Sequence, residues 1–194
     1  MKQAFPEGYS LGWRDSESEL MISTRIAQVK DADSISRVLA ASWKSAYRGI
    51  VGDDYLNALK ENHWVDFLTS ELNGDKIFSM VLLENQTIIG ASVLGKSENE
   101  NEIHLISLYL LPEKIGQGLG HTFYNEIEKE IRARGFSKCV LDVLASNTRA
   151  IRFYEANGFL DTHRNATVQL GGQDYSYMVF EKDLGAVGNA HYNI

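Results

Sequence analysis

The stretch SLYLLPEKIGQGLGHTFYNEIEKEI (residues 107–131) contains the pattern that decides the fold. Its apolar beginning, which ends at Pro112, predicts a buried strand. Glycines then alternate with other residues at Gly116, Gly118 and Gly120. Apolar side chains follow at a helical spacing, and they are Leu119, Phe123, Ile127 and Ile131. The stretch therefore predicts a strand, a glycine-rich turn and an amphipathic helix, in that order.

A glycine-rich turn before a helix can bind an anion. The helix N-terminus offers unpaired N–H groups and the positive end of the macrodipole, and glycine lets phosphate oxygens approach the backbone. The same glycines also fit a purely structural turn. The dinucleotide fingerprint is excluded because its sixth position, counted from Gly116, is His121. A P-loop is excluded because Gly120 is not followed by lysine.

Helices and strands alternate along the rest of the chain. Residues 20–29 predict an opening strand, after which Asp31 or Asp33 can cap a helix. A short second helix is predicted to begin after Asp53 or Asp54. The other predicted elements are a hairpin turning at Glu84–Gln86, a strand at 102–111, a strand at 137–145, a helix at 147–158 and a closing hairpin turning at Gly171–Gly172. This order of strand, two helices, three strands, helix, strand, helix and two strands predicts a mixed α/β sandwich of helices on one sheet.

Composition restricts the class of protein. The chain has 194 residues, of which 44% are hydrophobic and 23% charged, as in a soluble domain. A net charge of −7 argues against a nucleic-acid partner. No apolar run is long enough for a signal peptide or a membrane span, so we expect a cytoplasmic protein with no membrane partner. We expect residues 1–20 to form a loose extension, 21–184 a single domain and 185–194 a tail.

The residues that bind metals are sparse. Cys139 is the only cysteine, and its apolar surroundings predict a buried structural thiol. None of the five histidines lies at a metal-ligand spacing from another. We therefore predict no metal.

Two motifs carry a resemblance to a known family. SLYLLPEKIGQGLG resembles the pyrophosphate-binding motif of the GNAT superfamily of N-acetyltransferases, in which a strand L-Y-V-x-P-E precedes [Q/R]-x-x-G-x-[G/A]. The downstream segment is similar to the family's second signature, N-x-x-A-x-x-F-Y-x-x-x-G-F. The matching residues are Asn147, Ala150, Phe153, Tyr154, Gly158 and Phe159. One position departs from the first motif, since Ile115 stands where the family usually has Gln or Arg.

The resemblance covers roughly residues 20 to 184 and implies a fold and a cofactor. The implied fold is a mixed α/β (α+β) one, with a mostly antiparallel central sheet of about seven strands flanked by about four helices. Two parallel central strands splay apart in a V and hold acetyl-CoA. Backbone groups of Leu108 and Leu110 would then bind the acetyl and pantetheine portions. Around the pyrophosphate, the implied contacts come from Ile115, Gly116, Gly118, Gly120 and His121. Lys114 can add charge there, or lie on the surface as a solvated lysine.

The resemblance also points to catalytic residues. Tyr154 is expected to protonate the leaving thiolate, because a phenol has a suitable pKa for that donation. Asn147 can cap its helix, contact the pantetheine side, or do both. Glu102 and His104 are candidates for the base that deprotonates the amine, acting through water, and ordered water alone is a further alternative.

The acceptor pocket implied by the resemblance is built from the first helices and the closing hairpin. Trp43, Tyr47, Asp53 and Tyr55, with Asp54 beside them, can bind a cationic amine through aromatic faces and carboxylates. The same residues also fit a helix start and core packing. The main hypothesis is an N-acetyltransferase that acts on a primary amine of a small molecule or peptide in a ternary complex, and a homodimer is possible. The alternative is a non-catalytic acyl-CoA sensor of the same fold.

Overall fold

A computed structural model of the chain describes residues 20–74 and 76–185. The predicted N-terminal extension and C-terminal tail therefore lie outside the described residues, apart from Leu20 and Gly185. The strands are β1 (Ile22–Ile26), β2 (Ile77–Glu84), β3 (Thr87–Lys96), β4 (Glu102–Leu110), β5 (Lys138–Leu144), β6 (Leu160–Leu170) and β7 (Gln173–Asp183). The helices are α1 (Ala32–Ala46), α2 (Asp53–Ala58), α3 (Val65–Leu72), α4 (Leu119–Ala133) and α5 (Thr148–Ala156).

The seven strands form one sheet in the order β1-β2-β3-β4-β5-β7-β6. Neighbouring strands are antiparallel except for β4 and β5, which are parallel. These two strands pair only at Glu102–Lys138, Ile103–Cys139 and His104–Val140, although both continue well beyond. A V-shaped gap therefore opens in the middle of the sheet, and the predicted mixed fold is confirmed.

A β-bulge lies in β4 just after its last pair with β5. The register with β3 runs from Leu105 opposite Leu94 to Ser107 opposite Val93, so Ile106 is an extra residue. Past the bulge, the N–H of Leu111 donates to a β3 carbonyl at 2.8 Å. Backbone N–H and C=O groups point to alternate sides along an antiparallel strand. Since Leu111 bonds to β3, the N–H and C=O groups of the other odd-numbered residues past the bulge also point toward β3. The N–H and C=O groups of residues 108 and 110 consequently point away from β3 toward the gap, where the C=O of Leu110 accepts from Ser42 of α1 at 2.7 Å.

Hydrophobic clusters lie on both faces of the sheet. On one face, Phe123, Ile127 and Ile131 of α4 are fully buried against β4, β5 and β7. On the other face, α1 and α3 pack against β2 and β3, with Ile35 and Leu68 fully buried. The two layers of helices fix the sheet from both sides, and the gap is reached from the ends of β4 and β5.

The structure has one more helix than the sequence predicted. Two helices were expected before β2, but α3 forms a third one there. It has only eight residues. Its position depends on Leu68 and Leu72, which pack against the cluster beneath α1. Helices this short are set by tertiary packing rather than by intrinsic propensity, which explains why the sequence pattern was insufficient.

Three local predictions concern caps and turns. Asp31, one of the two predicted caps, occupies the N-cap position of α1, but its carboxylate makes no capping bond. It accepts instead from Arg25 at 2.6 Å and from the Gln28 N–H at 2.7 Å. The hydrogen bond from Arg25 lowers the pKa of Asp31. Both hairpin turns are confirmed. Their residues with positive φ are Asn85, Gln86, Gly171 and Gly172.

Within the described ranges, no helix is both long enough and apolar enough to cross a membrane. The same residues contain no group of three or more His, Cys, Asp or Glu side chains placed to hold a metal ion.

Candidate active site

The glycine-rich loop joins the open end of β4 to α4. A short 3-10 turn, Pro112–Lys114, follows the strand, and Gly118 is the N-cap of α4. Gly116 and Gly118 have positive φ values of 86° and 78°, which only glycine adopts without cost. A Cβ built on either residue would meet no atom within 4 Å. The loop therefore needs glycine for its conformation, and the space in front of it is open to a ligand.

The beginning of α4 offers free backbone donors. The first helical bond runs from the Thr122 N–H to the Gly118 C=O at 3.3 Å. The N–H groups of Gly118, Leu119, Gly120 and His121 precede this bond and have no partner within the helix. No side chain caps them. Unpaired donors at a helix N-terminus, facing open space, fit a pyrophosphate group.

Gly120 has a second role that the sequence did not reveal. A Cβ at this position would lie 3.1 Å from Cε2 of Phe153, so the missing side chain lets α4 approach α5 closely. The ring of His121 lies 5.0 Å from that of Phe153, and its Nδ1 is 3.1 Å from Oδ1 of Asn157. Residues of the Asn147–Phe159 motif therefore pack directly against the end of the glycine-rich loop.

Lys114 and Ile115 lie beside the loop. The ammonium of Lys114 bonds to the carboxylate of Glu84 at 2.6 and 2.5 Å, and both side chains are largely buried. This ion pair fixes the 3-10 turn to the end of β2. Ile115 is half-buried and extended. Lys114 is therefore held by a partner instead of lying free on the surface.

Tyr154 and Asn147 belong to α5 and its cap. Asn147 is buried, and its Oδ1 accepts from the Ala150 N–H at 3.2 Å, which confirms it as the N-cap. The ring of Tyr154 packs edge-on against Phe153 at 5.4 Å and Phe159 at 5.6 Å. Burial raises the pKa of Tyr154 well above its ordinary value. Its phenol is therefore protonated at neutral pH, as any tyrosine is, and it is a weaker acid than an exposed tyrosine.

Glu102 and His104 lie at the closed end of the gap, where β4 still pairs with β5. Glu102 accepts a hydrogen bond from Ser97 at 2.9 Å, and Nε2 of His104 is 3.3 Å from Oδ2 of Asp142. At about 3.3 Å per strand residue, Glu102 is about 20 Å along β4 from Leu108. The structure therefore does not bring these two side chains together with the open part of the gap.

Aromatic residues surround the open end of the gap. The ring of Trp43 lies 4.7 Å from that of Tyr47, 6.4 Å from Tyr55 and 5.8 Å from Trp64. These four residues pack against a buried cluster that includes Leu144, the last residue of β5. The first helices and the end of β5 therefore form one wall beside the open end of the gap.

A cleft of about 200 Å³ lies between the start of α2 and the closing hairpin. Its lining residues are Gly52, Asp53, Asp54, Tyr55, Leu170, Gly171, Gln173 and Tyr175. The hydroxyl of Tyr175 accepts from the Gly52 N–H at 3.1 Å and donates to Gln173 at 2.8 Å. Sequence reasoning missed Gln173 and Tyr175, and also Tyr109, whose hydroxyl lies 2.9 Å from that of Tyr47.

Comparison with curated proteins gives two informative relatives. The chain is 30% identical to spermidine N(1)-acetyltransferase from Thermoplasma acidophilum over 146 residues, which are 72% of this chain and 89% of the relative. It is 29% identical over 140 residues to an uncharacterised N-acetyltransferase, YuaI, from Bacillus subtilis, covering 70% and 79% of the two chains.

Solved structures give a consistent result. The PaiA N-acetyltransferase from Thermoplasma acidophilum, in complex with coenzyme A, matches with a TM-score of 0.68 and 25% identity, over 84% of this chain and 99% of that one. The ribosomal-protein-S18-alanine N-acetyltransferase from Escherichia coli matches with a TM-score of 0.64 over 89% and 99% of the two chains. Its identity is 18%, so this likeness concerns the fold alone.

The profile of the Acetyltransferase (GNAT) family matches residues 39–159. This span contains both motifs and the two strands, β4 and β5, that border the gap. The open space at the loop, its free N–H groups and the splayed strands fit acetyl-CoA. The chain belongs to the GNAT acetyltransferase family and is an N-acetyltransferase that uses acetyl-CoA as its donor.

Proposed function

We propose that the protein acetylates a terminal primary amine of a small linear polyamine. The observation that carries this proposal is the cleft at the start of α2, whose lining combines two carboxylates, Asp53 and Asp54, with the aromatic rings of Tyr55 and Tyr175. None of the described residues that line this cleft is basic. The similarity to a spermidine acetyltransferase supports the same class of acceptor.

A polyamine suits this arrangement because it carries several cations on an apolar chain. One ammonium group would be held by the carboxylates, while the methylene chain lies along the rings of Trp43 and Tyr47 toward the gap. The net charge of −7 favours the approach of such a cation, although surface charge is screened by salt.

The residues of the chain divide the work of acetyl transfer. The loop amides, from Gly118 to His121, hold the diphosphate, and the backbone of Leu108 and Leu110 binds the acyl arm. Acetyl-CoA supplies the activated acetyl thioester. Tyr154 donates a proton toward the leaving sulfur, and burial keeps that proton in place until it is needed.

The attacking nitrogen must lose a proton, and the candidates that can accept it are Glu102, His104 and ordered water. Glu102 and His104 remain candidates only through a chain of water molecules, since each is engaged at the closed end of the gap. Water that leads directly to solvent is the simpler alternative.

The proposal is tested by thiol release with a panel of amines. The panel compares spermidine, spermine and putrescine with lysine, a neutral monoamine and a peptide N-terminus. We expect polyamines to have the highest kcat/KM. Asp53→Asn and Asp54→Asn should raise the KM for spermidine about tenfold when combined, because a charge-assisted contact is worth about 1.5 kcal/mol or more.

The matched control for these variants is Asp66→Asn, which removes an equal charge from an exposed position on α3. It should leave the KM for spermidine unchanged, and the affinity for acetyl-CoA should be unchanged in all variants. Equal kcat/KM values for spermidine and the neutral monoamine would contradict the proposal.

A further inference from the structure

We propose that Tyr109 is a positioning residue, which fixes the wall of the acceptor site against the acetyl-binding strand through its hydrogen bond to Tyr47. The proposal rests on the placement of the acceptor amine at the α1–α2 side of the gap, as argued above. It does not depend on which amine is the substrate.

Tyr109 lies in the part of β4 that no longer pairs with β5. Its neighbours, Leu108 and Leu110, present backbone groups to the gap and pack their side chains toward α4. The side chain of Tyr109 packs on the opposite face, with the cluster formed by α1 and α3. One residue thus connects the strand that would bind the acyl arm to the helix layer that carries the acceptor side.

The partner of Tyr109 organises the acceptor loop. Tyr47 is the C-cap of α1, and its carbonyl accepts from the N–H groups of Ile50 and Val51, each at 2.9 Å. Its ring packs edge-on against Trp43. The chain then continues to Gly52 and the carboxylates of α2. Because the loop begins at Tyr47, a bond that fixes its hydroxyl also constrains the loop.

Tyr47 lies between the two arms of the V. Its hydroxyl lies 2.9 Å from the hydroxyl of Tyr109 on β4. Its ring packs on the cluster that includes Leu144, the last residue of β5. The side chain of Tyr47 therefore lies at the open end of the gap and is bonded there to β4.

A second hydroxyl supports the same connection. Ser42 of α1 is buried and donates to the carbonyl of Leu110 at 2.7 Å. Two adjacent β4 residues are thus bonded to α1 in the stretch where β4 has lost its pairing with β5. Because β4 no longer pairs with β5 in this stretch, these two bonds are what fix the distance between β4 and α1. Acetyl transfer depends on that distance, since the acyl arm and the acceptor amine must lie close together.

The test is a double-mutant cycle with Tyr47→Phe, Tyr109→Phe and the double variant. Each substitution removes one hydroxyl and keeps the ring, and either one abolishes the same bond. The assay uses whichever amine of the panel gives the highest kcat/KM. We expect each single variant to lower kcat about three- to tenfold, with the double variant no lower than the worse single one.

The affinity for acetyl-CoA, measured by calorimetry without an amine, should stay unchanged in all three variants. The matched control is Tyr124→Phe, since the Tyr124 hydroxyl is buried and has no hydrogen-bond partner in the described part of the chain. This control should retain kcat. Additive losses in the cycle, a wild-type kcat for Tyr109→Phe, or an equal loss in the control would overturn the proposal. A coupled cycle with a non-polyamine substrate would support it while refuting the polyamine assignment.

Discussion

Tyr154 is the proposed proton donor, and its surroundings keep its phenol protonated. Its ring is held by Phe153 and Phe159, and burial raises its pKa. A phenol that is hard to ionise keeps its proton across the pH range in which amines become reactive. Because a thiol is a stronger acid than this phenol, we expect Tyr154 to serve the departing thiolate mainly through a hydrogen bond that strengthens as negative charge develops on the sulfur.

Replacing Tyr154 by phenylalanine should therefore lower turnover and leave binding intact. We expect kcat to fall at least about tenfold, which corresponds to about 1.4 kcal/mol of activation free energy. The ring contacts persist in the variant, so the dissociation constant of acetyl-CoA should not change. Steady-state kinetics at saturating amine, with calorimetry for the cofactor, measures both quantities. A variant that retains wild-type kcat would remove Tyr154 from the mechanism.

The contrast between Tyr154 and Tyr109 shows what a sequence reveals about single residues. Tyr154 stands in a motif with fixed neighbours, so its proposed role as a proton donor follows from the resemblance. Tyr109 also stands in a motif, but its hydroxyl bonds to a partner 62 positions away in the chain. Such a contact depends on the packing of α1 across the sheet. Local periodicity contains no information about it.

The glycine loop and α4 act as a unit, and Gly118 is where the two join. A β-branched residue could not adopt the φ of 78° at this position without strain, and the space in front of Gly118 is open. Gly118→Val should raise the dissociation constant of acetyl-CoA at least about tenfold, because the side chain both distorts the loop and enters the space for the diphosphate. Calorimetric titration tests this. Normal affinity in a folded variant would mean that the phosphates bind elsewhere.

Gly120 provides a contrasting prediction for the same unit. An alanine Cβ would press on the Phe153 ring at 3.1 Å, while the backbone N–H would remain available. We expect Gly120→Ala to lower the free energy of unfolding by about 1 kcal/mol, with a smaller effect on acetyl-CoA affinity than Gly118→Val. Urea denaturation measures the loss of stability. A large loss of affinity without any loss of stability would contradict the packing role.

Element by element, the long periodic segments were predictable and the short ones were not. The helical stripe of α4 and both hairpin turns follow from spacing and turn residues. In contrast, α3 has too few residues for its pattern to be distinctive. The extra residue at Ile106 was also invisible, because a bulge inside an apolar strand changes the pairing without changing the composition.

At the scale of the whole molecule, the central gap is the feature that joins fold and function. Its presence followed from the resemblance, whereas no residue pattern in β4 or β5 predicts where their pairing ends. The pairing ends at His104, shortly before the bulge at Ile106, and side chains at the end of α1 bond to β4 beyond it. Opening the sheet there exposes backbone donors and acceptors that an unbroken ladder would have consumed.

Because the thiol of Cys139 is buried, we expect the free energy of unfolding of the whole protein to decrease at alkaline pH. Cys139 lies in β5 with no exposed surface, and burial raises the pKa of its thiol from 9.0 to about 12. Between these values the unfolded chain loses the proton while the folded chain keeps it. The contribution is therefore complete below about pH 9 and is lost as the pH rises toward 12, at up to about 1.4 kcal/mol per pH unit.

Cys139→Ala should separate this effect from packing. The cavity it creates lowers the free energy of unfolding by a similar amount at every pH, whereas the thiol's pH dependence disappears. Urea denaturation at pH 8.0 and pH 10.0 should thus show a smaller decrease in the variant than in the wild type, by about 1 kcal/mol. The buried tyrosines contribute equally to both proteins and cancel in the difference. Equal decreases would mean that the thiol ionises as easily in the folded protein as in the unfolded chain.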